Sequence, residues 1–138
     1  MTVVGIQHGD IEPIVAFAVD ANGDPLPGKT DIKIKIRRQS DGKYFDWSDN
    51  TFKTGASVSQ LLQVLAEVSA TYSSGEYHLD TVSHVKGFNT SLISNPVDDD
   101  IYFVTAIQDG GSDVKNLPKT GEIKVGTFVV SNHTPLTF

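Results

Sequence analysis

Val64 to Asp80, V-L-A-E-V-S-A-T-Y-S-S-G-E-Y-H-L-D, is the stretch whose reading decides the fold. Before Ser73, the residues Val64, Ala66, Val68, Ala70 and Tyr72 alternate with Leu65, Glu67, Ser69 and Thr71. After Gly75, Tyr77, Leu79 and Thr81 alternate with Glu76, His78 and Asp80. A period of two places each set on one face of a sheet. Ser73-Ser74-Gly75 between the two runs reads as the tight turn of a hairpin. The expectation is a pair of antiparallel strands with the remaining strands laid beside or opposite it.

The flanking chain repeats this pattern. Pro13 to Asp20, P-I-V-A-F-A-V-D, alternates Ile14, Ala16 and Ala18 with Val15, Phe17 and Val19. Both faces are apolar, so the strand is expected to be largely buried. A-N-G-D-P-L-P-G follows, dense in turn residues. Thr30 to Arg38 points Ile32, Ile34 and Ile36 inward and Asp31, Lys33, Lys35 and Arg37 outward, the pattern of a half-solvated antiparallel strand. Asp41-Gly42 then makes a hairpin turn into Lys43–Trp47. Ser57-Val58-Ser59-Gln60 has capping-box spacing, which predicts a short turn or half-helix over 57–61 before the next strand. Ser83 to Asp100 is a long polar connection anchored by Phe88, Leu92 and Ile93. Ile101 to Gln108 is apolar on both faces and reads as central. Gly121 to Val130 closes the domain, with a bulge or bend at Gly126. This gives about seven strands, no long helix and no internal repeat: an all-β antiparallel sandwich, with a barrel as the competing architecture.

Composition bounds the rest. The 138 residues suit one domain, expected over 13–130, with 1–12 as an N-terminal arm or edge strand and 131–138 as a C-terminal tail. At 38% hydrophobic and 20% charged the chain is too apolar to be disordered. The net charge is −6. The densest positive cluster is Lys33, Lys35, Arg37 and Arg38, too sparse for the concentrated phosphate contacts of nucleic-acid binding. The absence of cysteine excludes disulfides and thiolate metal sites. No apolar run approaches the ~20 residues that cross a bilayer. The N-terminal M-T-V-V-G-I-Q-H-G-D has neither a charged leading region nor a long apolar run, so no secretory signal is expected and assembly in the cytosol is.

No catalytic motif stands out. Asp20-x-Asn22-x-Asp24 begins like a calcium loop, but Pro25 stands where glycine belongs and Asp31 where the closing glutamate belongs, so it reads as an Asx-rich turn. Asp98-Asp99-Asp100 reads as a solvated loop face before a strand rather than a cation site. His8, His78, His84 and His133 share no ligand spacing. Nucleophile elbows, zinc-protease helices and phosphate loops are missing from the sequence. The expectation is no enzyme, no cofactor and no metal. Trp47 reads as a core or rim aromatic; in a carbohydrate-binding or host-surface-binding module, Tyr44, Trp47 or Tyr102 would stack on a sugar.

The run I-V-A-F-A-V-D-A-N-G-D-P-L-P-G-K-T-D-I-K-I-K-I-R-R-Q-S-D-G-K-Y-F-D-W resembles the opening of immunoglobulin-like modules in structural proteins of tailed bacteriophages. Their strand, D-x-x-G-x-P turn, alternating strand and D-G-x-Y turn occur here in that order. A-T-Y-S-S-G-E-Y-H-L-D, I-Y-F-V-T-A-I-Q-D-G-G and G-E-I-K-V-G are similar in order and spacing to the later strands, so the resemblance covers about 13–130. It implies an immunoglobulin-like sandwich serving as a virion subunit, made in the host cytoplasm. The role implied is a capsid decoration or cement protein, or a neck, tail or baseplate component. Its partners would be the major capsid protein or other virion subunits and copies of itself, without nucleic acid or membrane. Val3, Val4 and Ile6 at one end, and Leu136 and Phe138 at the other, are the expected contact residues, burying apolar area on neighbours by strand addition.

Overall fold

The structure is a computed structural model that describes residues 3–94, 96, 100–116 and 124–131. In chain order the strands are β1 (Val3–Gln7), β2 (Ile11–Glu12), β3 (Val15–Phe17), β4 (Ile32–Arg38), β5 (Tyr44–Asp46) and β6 (Thr51–Lys53). Then come β7 (Gln63–Val64), β8 (Ala66–Ser69), β9 (Ser73–His78), β10 (Phe88–Asn89), β11 (Asp100–Gln108) and β12 (Lys124–Ser131). Two 3-10 turns, Gly55–Ser57 and Thr90–Leu92, complete the elements. The architecture is all-β with mainly antiparallel sheets, consistent with a β-sandwich. It uses more and shorter strand segments than the seven expected.

The larger sheet runs β1-β12-β11-β4-β5-β6, with β7 also on β4. At its centre β4 and β11 pair antiparallel from Tyr102↔Arg38 to Gln108↔Ile32. Isoleucine at every second position of β4 is why: Ile32, Ile34 and Ile36 are fully buried while Lys33, Lys35 and Arg37 reach the surface. Asp41-Gly42 turns β4 into β5 as expected, Arg38 N–H donating to the Lys43 carbonyl at 2.8 Å. β12 carries a register shift opposite Val104 and Thr105, between Gly126 and Lys124, which is the expected bulge. β1 lies outside β12 and parallel to it, from Val3↔Thr127 to Gln7↔Ser131.

The smaller sheet runs β3-β9-β8 and packs against β4 and β11 through one hydrophobic core. Ile14, Ala16 and Ala18 meet Tyr77, Leu79, Tyr102 and Val104 there, and Phe45, Trp47 and Phe88 fill one end. The two-stranded β2-β10 pair and the turn at 90–92 tie residues 10–12 to the long connection, in which Phe88 and Ile93 are buried anchors. Thr90 fixes this tie: its hydroxyl donates to the Asp10 carbonyl at 2.6 Å and accepts from Gly9 N–H at 2.9 Å.

Three readings of the sequence are corrected. The hairpin turns at 70–72, three residues early, and Ser73, Ser74 and Gly75 belong to β9. Four steps of β9, Tyr77 to Ser73, lie opposite two of β8, Glu67 to Ser69, so the Ser/Gly link is a bulge inside a strand. Second, the run from Val64 is not one strand. Val64 pairs with Lys33 in the larger sheet and Ala66 with His78 in the smaller. The chain crosses at Leu65, whose side chain is buried and whose N–H donates to Ile32 O at 2.8 Å. Side-chain alternation continues through a change of sheet, so the pattern alone hides the crossing. Third, the half-helix at 57–61 does not form; the turn sits at Gly55–Ser57, and the N–H groups of Ser59 and Gln60 are held by Asp46 instead.

Candidate functional site

Three clusters carry most of the polar chemistry, and each binds the protein to itself. The first is Asp46, at the end of β5. Its carboxylate is fully buried. Oδ1 accepts from the Ser48 hydroxyl at 2.6 Å, Ser48 N–H at 3.0 Å and Gln60 N–H at 3.1 Å; Oδ2 accepts from Lys53 Nζ at 2.8 Å and Ser59 N–H at 2.9 Å. The Lys53 ammonium, the Ser48 hydroxyl and these N–H groups hold the carboxyl far below the usual range. Lys53 is raised in turn by Asp46 and Asp49. Both partners stay charged at neutral pH, which suits a fixed ion pair and not proton transfer.

The second is His84, fully buried between aromatic rings. It stacks on Phe88, with centroids 5.2 Å apart and planes at 10°, and meets Phe45 and Trp47 edge-on. Nδ1 accepts from Asn89 N–H at 3.1 Å, so the proton is on Nε2, which donates to Asn50 Oδ1 at 2.8 Å. Burial pushes the imidazole down to about 4. A neutral ring with both nitrogens committed clips the 47–50 turn to the 81–89 loop.

The third cluster laces the loop 18–31 to the loop after β11. Gln108 Nε2 donates to Asp31 Oδ2 at 2.9 Å and Asp113 Oδ1 at 2.6 Å, and its Oε1 accepts from Val114 N–H at 3.0 Å. Lys29 Nζ reaches Asp113 at 2.9 Å, and Lys33 Nζ reaches Asp109 at 2.8 Å. The Gln108 amide and Lys29 bring the Asp113 carboxyl down to about 2. A few residues on, the Asn116 side chain works like one peptide unit of a neighbouring strand. Its Nδ2 donates to Phe17 O at 2.7 Å and its Oδ1 accepts from Val19 N–H at 3.1 Å.

The expected site residues fall in different places. Val3, Val4 and Ile6 lie on β1, the outermost strand of the larger sheet, while Leu136, Phe138 and His133 lie outside the described residues. Tyr44, Trp47 and Tyr102 do not form an open stacking platform: Tyr102 is fully buried, Trp47 is 7% exposed within the core, and half-buried Tyr44 lies under Lys35 Nζ. Asp20 Oδ1 accepts from Asn22 N–H at 2.8 Å and Asp24 N–H at 3.0 Å, making the 20–24 segment an Asx turn. Asp98 and Asp99 lie outside the described residues. Asp100 is not part of a solvated loop face; it is buried in β11 and accepts from the Ser40 hydroxyl at 2.8 Å. A cleft of about 160 Å³ is lined by Arg38, Asn50, Thr51, Phe52, Leu92 and Ser94. Its guanidinium is paired in a fork with Asp41, at 3.1 and 2.6 Å. Among the described residues no three His, Asp or Glu side chains gather as metal ligands.

The surface feature that sequence reasoning missed is the outer face of the smaller sheet. Val15 is 42% exposed, Phe17 59% and Val68 42%, with Ala66 beside them. The apolar residues on both faces of 13–20 predict a largely buried strand. Only the Ile14, Ala16 and Ala18 face is covered. No family model matches the chain, and no significant match to it is found among curated proteins or solved structures.

Proposed function

We propose that the chain is a non-enzymatic structural subunit of a tailed-phage virion, an immunoglobulin-like module that decorates or cements the particle through protein–protein contacts. Strand order supports the immunoglobulin-like part. A variable-type domain orders one sheet G-F-C-C′-C″ and the other B-E-D, with strand A at the edge of the second. Here β12-β11-β4-β5-β6 follows the first order and β3-β9-β8 the second, in the same chain sequence. There are departures. The inter-sheet disulfide has no counterpart, Trp47 follows β5 rather than lying on β4, and β1 joins the larger sheet.

The observation that carries the contact role is the apolar outer face of the smaller sheet. Large side chains grouped on an exposed sheet face are characteristic of interaction surfaces. The clusters of Asp46, His84 and Gln108 agree with a scaffold role, since each spends its polar groups on joining loops. The test is the number of copies of the chain in purified particles, counted by quantitative mass spectrometry. On the order of hundreds is expected for a decoration subunit on a symmetric shell. About a dozen would move it to the neck or baseplate, and absence from particles would overturn the reading.

A further inference from the structure

The outer face of the smaller sheet is complementary to itself. Its rows follow from the register: Val15 and Ala66 flank His78, and Phe17 lies opposite Glu76 with Val68 beyond. Glu76 and His78 are thus successive outward positions of the central strand, with apolar side chains on both sides. Consider a two-fold axis lying in the plane of the interface, crossing β9 between these two residues. It reverses the strand and leaves β3 over β3. Each Glu76 carboxylate then meets the partner's imidazole N–H, Phe17 lies over Val15, and Val68 lies over Ala66. Sheets stacked face to face at about 10 Å interdigitate such side chains. The two Glu76 carboxylates do not oppose one another in this arrangement, and the imidazole that each meets also lies 3.8 Å from Asp80 Oδ2 of its own chain.

We infer that this face is a homodimer interface, in which a second copy of the chain covers Val15, Phe17, Ala66 and Val68 and pairs Glu76 with His78 across the dyad. The inference rests on the reading of this face as a contact surface and names its partner. Edge-on addition to β3 is the competing geometry. It is obstructed, because Pro13 precedes the strand and the Asn116 amide already occupies the Phe17 carbonyl and the Val19 N–H. The face covers three short strands, small beside a standard interface, so the dimer is a weak one that forms at micromolar concentration or above.

Sedimentation equilibrium of the purified full chain, up to about 0.5 mM, tests this. A reversible monomer–dimer equilibrium is expected. Phe17→Glu, which puts a charge in place of the largest apolar side chain of the face at a solvent-facing position, is expected to weaken it at least ~10-fold. His78→Glu alone sets two carboxylates opposite one another and Glu76→Lys alone removes the acceptor that the imidazole N–H meets, so each is also expected to weaken it. The double variant E76K/H78E restores an opposite pair and is expected to recover dimerisation to within about three-fold of the original. Unchanged thermal unfolding of each variant's monomer verifies that the fold is intact. A chain that stays monomeric throughout, a dimer indifferent to Phe17→Glu, or a double variant no better than the singles would overturn the inference. Loss of particle binding by Phe17→Glu in a chain that is monomeric throughout would reject the dimer while leaving the virion role standing.

Discussion

Replacing Gly75 by alanine probes the bulge that joins the small sheet to the loop before β4. Gly75 is buried with φ +80°, its N–H donating to Glu67 Oε2 at 3.1 Å and its carbonyl accepting from Ala18 N–H at 2.8 Å. A Cβ there would stand 2.8 Å from Pro25 Cβ, 2.9 Å from Ala18 O and 3.2 Å from Leu26 N. These atoms belong to backbone and to a proline ring, so no rotamer change relieves the contact. Left-handed backbone costs a residue with a side chain about 1–2 kcal/mol. Overpacking adds about 1–3 kcal/mol. Restriction of the unfolded chain returns about 0.4–1 kcal/mol. The net is about 1–4.6 kcal/mol, or a fall in Tm of about 3–16 °C at this chain length. Gly23→Ala is the control. Its φ is +83° and its Cβ would meet nothing within 4 Å, so only the conformational cost applies, about 0–1.6 kcal/mol after the same return. Thermal unfolding followed by circular dichroism, with urea midpoints at constant m, measures both. Equal losses in the two variants, or a larger loss at Gly23, would refute the steric argument.

Two further outcomes follow from the buried polar groups. The Tyr77 hydroxyl donates to Leu26 O at 2.6 Å and accepts from Lys29 N–H at 2.9 Å, so Tyr77→Phe leaves both backbone groups without it. A loss of about 1–3 kcal/mol in urea unfolding is expected, and a loss below about 0.5 kcal/mol would show that water replaces the hydroxyl freely. His84 stays neutral down to about 4 in the folded chain, whereas an unfolded imidazole takes its proton near 6.5. Between those values the unfolded state binds the extra proton, so this stabilisation is complete above about 6.5 and is lost as pH falls toward 4. His84→Gln should therefore flatten the dependence of Tm on pH over that window; an unaltered slope would assign it to other groups.

The fold class was legible because β4 and β11 obey their own patterns. Three isoleucines at alternate positions are buried, and a nine-residue strand with apolar residues on both faces is central, between β12 and β4. The His84 and Gln108 clusters and the Asn116 contact were not legible, because each depends on a partner far away in sequence brought near by tertiary packing. His84 meets Asn50, Gln108 meets Asp31, and Asn116 reaches Phe17. No local spacing encodes those pairs. The turn at Ser73-Ser74-Gly75 failed for a related reason. Gly75 is needed for a positive φ and for the close approach of Pro25, and a bulge makes that demand as readily as a turn does.

The misreading of β3 bears most directly on function. Hydrophobicity on both faces predicts burial on both, yet the residues differ in size in a way that separates the faces. Ala16 and Ala18 point inward, where small side chains leave room for the rings of Tyr77 and Tyr102, both fully buried. Val15 and Phe17 point outward, and Phe17 retains 59% of its surface in solvent. Full burial of such a side chain is worth about 1.5–3 kcal/mol, which the isolated chain leaves largely unrealised. Asn116 meanwhile seals part of the adjacent strand edge, as expected of a protein that avoids indiscriminate pairing there. In the proposed dimer, an edge partly closed to strand addition beside a face left apolar directs the second copy onto the face, and the alternation of Glu76 and His78 sets its register.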